Sequence, residues 1–104
     1  MKLKDIVYVA PSPIHGRGLF AKRAIEAESH IGSYQGPIAK RNGTYVLWVY
    51  APGEDPLGRR GLNELRYLNH SDTPNAAFDG FDLYALQPIQ PDEEITFNYE
   101  GVAE

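Results

Sequence analysis

Residues 66–86 read RYLNHSDTPNAAFDGFDLYAL, and the way this stretch folds sets the expectation for the rest of the chain. Its second half, AAF-DG-FDLYAL, places Asp79-Gly80 between two strand-like runs, and those two residues supply the positive-φ positions of a tight hairpin. Its first half brings Asn69, His70 and Ser71 out of an apolar stretch and leads them through Thr73-Pro74 into that hairpin. Several hydrogen-bonding side chains therefore meet at one bend, and on the residues alone they read as a cluster that caps a helix end and satisfies the turn. Just upstream, GLNELRYLN spaces Leu62, Leu65 and Leu68 at three-residue intervals. That spacing predicts a turn or two of helix over Leu62 to Leu68 and no more.

Moving outward, apolar, β-branched and aromatic runs recur at Ile6 to Val9, His30 to Tyr34, Tyr45 to Tyr50, Ala76 to Phe78, Phe81 to Leu86 and Ile95 to Phe97. Most are short and bounded by Gly, Pro, Asn or Asp, so the chain is expected to be mostly β, with many short strands and one small helix. Ala51 to Gly61, APGEDPLGRRG, reads as a loop by composition. With 104 residues, 42% apolar and 23% charged, there is room for one domain, residues 1–104, around a modest core.

There are no cysteines, which removes disulfides, thiol nucleophiles and zinc sites built on thiolates. His15, His30 and His70 lie far apart and no spacing suggests carboxylate help, so no metal site is expected. No apolar run approaches the ~20 residues that span a bilayer, and MKLKDIVYVAPSP is too short and too quickly interrupted by Pro for a signal peptide. A cytoplasmic location without membrane association is the resulting expectation. The net charge of −4 is unevenly spread: residues 1–23 hold five bases and one acid, residues 71–104 eight acids and no base. An acidic half repels phosphate backbones and attracts a cationic partner, so no direct nucleic-acid binding is expected.

Phosphate-cradling loops, nucleophile elbows and paired helical histidines are missing. What stands out instead is HGRGLFA at 15–21, where Gly16 and Gly18 flank Arg17 and allow a sharp turn and close approach of a ligand to backbone. The third such segment, after RYLNHSDTPN, is EEITFNYE at 93–100, where Phe97 and Tyr99 alternate with Asn98 and share one face.

In this order, GRGLFA, IGSYQG at 31–36, RYLNHSDTPN, the hairpin and LQPIQPDEEITFNY resemble the SET domain, the family of S-adenosylmethionine-dependent protein lysine methyltransferases. The resemblance covers most of the chain and implies a SET-domain, β-clip-like fold of small sheets whose C-terminal segment is threaded like a knot against the one carrying Asn69-His70. It implies that the turn Gly16, Arg17 and Gly18 contacts the methionine part of S-adenosylmethionine by backbone. Asn69 and His70 would bind the cofactor and anchor the bend, with backbone of His70 at the adenine. Tyr99 would be catalytic, and Tyr34 and Phe97 would line the lysine channel. Phe rather than Tyr at position 97 would leave one fewer hydroxyl or water anchor and allow di- or trimethylation.

Departures from the family's wording point the other way. Asp72 stands where many relatives have Cys, Pro37 replaces the acid that often follows Tyr-x-Gly, and Asn98 replaces the usual Asp. No cysteine follows Tyr99 in these residues, so the zinc-bound segment that often completes the lysine channel is not expected, and Glu100 to Glu104 are expected to close the site. A second subunit, a partner or the substrate would then supply the missing wall, as in viral minimal forms of the family, which are of similar size and dimerise. Two readings follow. One is a lysine methyltransferase acting on a basic protein of histone-like, nucleoid or ribosomal type. The other is a weak or inactive module that binds the cofactor or a partner.

Overall fold

The computed structural model describes residues 2–43, 45–49 and 53–99. Ten short strands make up the framework: β1 (Val7–Pro11), β2 (Arg17–Ala21), β3 (His30–Ser33), β4 (Ile38–Ala39), β5 (Val46–Val49), β6 (Leu57–Arg60), β7 (Asn69–His70), β8 (Ala76–Asp79), β9 (Asp82–Ala85) and β10 (Glu94–Phe97). A four-residue helix α1 (Leu3–Ile6) precedes β1, and a 3₁₀ turn (Glu64–Tyr67) precedes β7. The strands form three small sheets, ordered β1-β2-β10-β7, β3-β9-β8 and β4-β6-β5.

The first sheet builds the site. β1 and β2 pair antiparallel from Val7↔Ala21 to Pro11↔Arg17. The last strand, β10, then fills the slot between β2 and β7, antiparallel to β2 through Ile95↔Leu19 and parallel to β7 through Thr96↔Asn69 and Phe97↔His70. Two features drive that insertion. Ile95 and its partner Leu19 are fully buried, so the slot is apolar at its centre. At its edge the buried Asn75 clamps β10 from the side: its amide donates to the Glu94 carbonyl at 2.8 Å and its Oδ1 accepts the Thr96 N–H at 2.9 Å. The knot-like threading expected of the C-terminal segment is this strand held between two others.

Three expectations need correction. The hairpin joins β8 and β9 as expected, but Asp79 pairs with Asp82, so the loop is Gly80-Phe81, and Gly80 alone of Asp79-Gly80 takes positive φ, at 63°. A single positive-φ residue suffices once the loop slides by one, which also buries Leu83 fully and Ala85 almost so. The helix over Leu62 to Leu68 contracts to the 3₁₀ turn, because Leu62 stays exposed and Leu68, though buried with Leu65 in the core, leaves helical backbone at ψ 129°. Finally, the loop Ala51 to Gly61 contains β6, paired with β5 through Trp48↔Gly58 and with β4 through Ile38↔Arg59. Gly58 belongs in that strand because the Trp48 ring occupies the space a side chain would need: a Cβ there would lie 2.7 Å from it. Tyr50, Ala51 and Pro52 lie outside the described residues.

Candidate functional site

One cavity of about 870 Å³ opens between the first and third sheets. Its floor on one side is the turn His15–Arg17, where Gly16 sits at φ 45° with nothing within 4 Å of the place a Cβ would occupy. Left-handed backbone there favours glycine, and the open face lets a ligand come against the main chain.

Asn69 fixes this turn from behind. Its side-chain amide lies 3.1 Å from the carbonyl oxygens of His15 and Arg17, 3.1 Å from Ser12 Oγ and 3.0 Å from Glu94 Oε2. Ser12 Oγ in turn lies 2.8 Å from both Glu94 oxygens. Two protons are thus shared among four acceptors at a site only 7% exposed. Gly18 stands beside this hub, not on the cavity wall: a Cβ on it would come within 2.3 Å of Glu94 Oε2 and 2.9 Å of Ser12 Cβ. Its lack of a side chain is therefore a packing requirement of the hub.

Aromatic rings form the other end. Tyr34, Tyr45, Trp48, Tyr67, Phe97 and Tyr99 all line it. Phe97 and Tyr99 have ring centres 4.8 Å apart, as the shared face of ITFNY predicts, and Tyr99 packs edge-on to His70 at 5.1 Å. His70 lies off the cavity wall and acts on Tyr99: its Nδ1 accepts the Tyr99 N–H at 3.1 Å while Nε2 faces Asp72 Oδ1 at 2.9 Å. Since Nδ1 is an acceptor, the proton of a neutral His70 is on Nε2, directed at Asp72.

The Tyr99 hydroxyl donates to the Leu68 carbonyl at 3.2 Å. With its proton committed there, the phenol presents oxygen lone pairs to the cavity, and burial holds its pKa above the ordinary value. Tyr34 is more enclosed: its hydroxyl donates to the Tyr45 carbonyl and its ring abuts Gly61. Burial raises the Tyr34 phenol to about 12, the neighbouring Tyr99 adds to this, and the Gly61 backbone and the Arg66 guanidinium oppose it. Both phenols are neutral and hydrogen-bonding at neutral pH.

Of the residues singled out in the sequence, Gly16, Arg17, Asn69, Tyr34, Phe97 and Tyr99 converge on this one cavity, while Gly18 and His70 support it from outside. Sequence reading misses Tyr45, Trp48, Arg66 and Tyr67 on the wall and the Ser12–Glu94 pair behind it. Tyr45 and Trp48 sit in a run that reads simply as a strand, and Arg66-Tyr67 in one that reads as helix. Among the described residues no cluster of His, Asp or Glu is arranged to hold a metal ion. No helix there is long and apolar enough to cross a membrane.

The comparisons with known proteins bear on this arrangement directly. Residues 16–100, from the glycine turn to the end of the aromatic strand, match the SET domain family. The chain belongs to the SET-domain family. It is 31% identical, over 95% of its length, to a histone-lysine N-methyltransferase, H3 lysine-4 specific, of Aspergillus oryzae, and spans 10% of that protein. It is 30% identical over 93% of its length to human histone-lysine N-methyltransferase 2B, of which it spans 4%. The chain thus corresponds to a tenth or less of these curated relatives. Among solved structures, the methyltransferase domain of human histone-lysine N-methyltransferase SETMAR matches with a TM-score of 0.79 at 21% identity, covering 91% of this chain and 44% of that one. The methyltransferase domain of human PR domain-containing protein 2 matches at 0.68 and 24% identity, covering 89% and 76%. At those identities the structures establish the SET-domain fold.

Proposed function

We propose that this chain is an S-adenosylmethionine-dependent protein lysine N-methyltransferase acting on a basic protein. The observation that carries the reading is a single cavity with a glycine turn at one end and, at the other, a phenol whose proton is already engaged by Leu68. Those residues fit the cofactor. The open face of Gly16 accepts a ligand against backbone, Arg17 supplies a cation for the methionyl carboxylate, and Asn69 keeps the turn rigid. When bound, the cofactor supplies a methyl group on a sulfonium; the amine lone pair forms the C–N bond as the C–S electron pair returns to sulfur.

The chain's own residues have to align the amine and exclude water, which is where most of the rate advantage of such a transfer lies. Tyr34, Phe97 and Tyr99 supply part of both, their rings lining one side of the channel and the Tyr99 oxygen accepting from the amine. Tyr34 Oη is tied to the Tyr45 carbonyl, so it gives shape more than hydrogen bonding. Phe97 contributes no hydroxyl, which leaves room for a partly methylated amine and supports di- or trimethylation. Asp72, Asp79 and Asp92, exposed in the acidic half, favour a cationic substrate segment of histone-like, nucleoid or ribosomal type. A cytoplasmic location belongs to the same proposal.

One observation favours the second reading, a module that binds cofactor with little turnover. Tyr99 is 53% exposed, so its outer side needs a further wall. Glu100 to Glu104, expected to close it, lie outside the described residues, and a second copy of the chain is the wall we propose. Incubation with labelled S-adenosylmethionine and a mixture of basic proteins is expected to label lysine, and Tyr99→Phe to lose most of that signal. Cofactor binding without labelling would favour the module, and equal labelling by both chains would remove Tyr99 from its role.

A further inference from the structure

The charge of the cavity is the feature that the proposed reaction does not by itself require. The ligands assigned to it are a sulfonium and an ammonium, both cations, yet among the described residues no Asp or Glu lines it, while Arg17 and Arg66 do. Arg66 is fixed in place. Its guanidinium lies 4.6 Å over the Tyr67 ring and 5.9 Å from the Tyr45 ring, and donates to the Tyr67 hydroxyl at 3.0 Å and to the Leu62 and Asn63 carbonyls. No carboxylate pairs with it among the described ion pairs.

The charged and titratable groups around Arg66 come from several elements. From the end of β3 comes Tyr34, from the turn before β5 Tyr45, from its own 3₁₀ turn Tyr67, and from the segment after β10 Tyr99, all phenols. Across the cavity stand His15 and Arg17. The neighbouring carboxylate, Glu64, lines a separate groove with Lys2 and His30, and Glu94 is behind Asn69 with its oxygens taken by Ser12 and Asn69. Among the described residues no carboxylate therefore offsets the guanidinium's field in the cavity, and that field already reaches the Tyr34 hydroxyl.

We propose that Arg66 is a specificity-determining residue for the protonation state of the ligands: its fixed charge, flanking the aromatic end of the cavity, admits the target lysine as the neutral amine and disfavours cations there. The step this assists is simple in its balance. The ammonium gives one proton to bulk water before attack, and the lone pair so freed makes the bond to carbon. A like charge close by promotes that loss. The same field distinguishes the cationic cofactor from its product, S-adenosylhomocysteine, whose sulfur is neutral. The inference rests on the methyltransferase reading.

The test uses the full chain, with Arg66→Lys keeping the charge, Arg66→Gln keeping a donor for the Leu62 and Asn63 carbonyls, and Arg66→Met keeping the stem. The acid limb of kcat, which reports groups in the bound complex, is expected to stay put in Arg66→Lys and to move up by about one pH unit in the Gln and Met chains, a tenfold loss below the limb. A purely structural arginine would lower the rate without moving the limb. Calorimetric titration of the wild-type chain is expected to show S-adenosylhomocysteine binding several-fold tighter than S-adenosylmethionine, with the gap narrowing in Arg66→Gln. Equal affinities in the wild type, or an unmoved limb in either folded uncharged variant, overturn the proposal. A wild-type chain that binds neither compound and transfers no methyl group instead overturns the reading on which it rests.

Discussion

Replacing Asn69 by aspartate changes one NH₂ for an oxygen at the point where four acceptors converge, and replacing it by alanine removes the donor altogether. In the native chain the amide lies between 3.0 and 3.1 Å from Ser12 Oγ, the His15 and Arg17 carbonyls and Glu94 Oε2. Asn69→Ala removes that donor from the His15 and Arg17 carbonyls, while Glu94 keeps the Ser12 hydroxyl. At about 1–3 kcal/mol for a buried unsatisfied group, and allowing for two protons shared among four acceptors, the loss is about 3 kcal/mol. That is a large part of the ~5–15 kcal/mol a domain possesses, and corresponds to a fall in Tm of about 12–24 °C.

Asn69→Asp behaves differently with pH. The introduced carboxyl, once ionised, would face the Glu94 carboxylate across hydrogen-bond distance, so the folded variant holds a proton there and the pKa of the new group rises above its unfolded value near 3.9. A group with a raised folded pKa takes up more protons in the native state, so the deficit relative to wild type is small at low pH. It grows as pH rises and levels off above the folded pKa. Urea unfolding followed by the fluorescence of Trp48, the chain's one tryptophan, at pH 5 and pH 8 reads this directly. Asn69→Asp is expected to be more stable than Asn69→Ala at pH 5 and less stable at pH 8. If the two variants run parallel, Asn69 is not the donor to this hub.

Two other perturbations probe separate parts of the structure. Gly18→Ala drives a methyl group to 2.3 Å from Glu94 Oε2, whose carboxylate is held on both oxygens, so overpacking of about 1–3 kcal/mol is expected, read as a lower Tm together with weaker cofactor binding by calorimetry. Asp82 receives a hydrogen bond from Ser33 and faces His30, and these hold its carboxyl below the usual range. Its stabilising contribution is present above about pH 4 and lost as pH falls through the lowered pKa, so Asp82→Asn is expected to show a shallower loss of stability below about pH 4 than wild type in acid unfolding.

How much of this is legible in the sequence depends on whether the cause is local. The hairpin is, because Gly80 supplies its own turn, although the register slides by one residue to suit the burial of Leu83. β6 is not: its Pro- and Gly-rich surroundings read as loop, and Gly58 is tolerated in the strand only because Trp48, ten positions away, fills the gap. At the site, the order of the motifs points to Tyr99, Asn69 and the glycine turn, and the cavity contains all three. The role of Gly18 as a contact for Glu94, and of His70 as the acceptor for the Tyr99 N–H, depends on β10 lying between β2 and β7. Tyr45 takes φ 66°, unusual for a bulky side chain, while its carbonyl accepts from both Tyr34 and Gly61. Nothing in the run it belongs to signals that conformation.

On the proposed reading, backbone from both ends of the chain makes one chamber in which a methyl donor and a lysine side chain meet. A crystal structure of the chain with S-adenosylhomocysteine and a lysine-bearing basic peptide tests it most directly. The lysine side chain is expected to run between Tyr34, Phe97 and Tyr99 and point its nitrogen at a sulfur lying near Gly16–Arg17. Peptide or nucleoside bound elsewhere, with that chamber empty, would rule that meeting out.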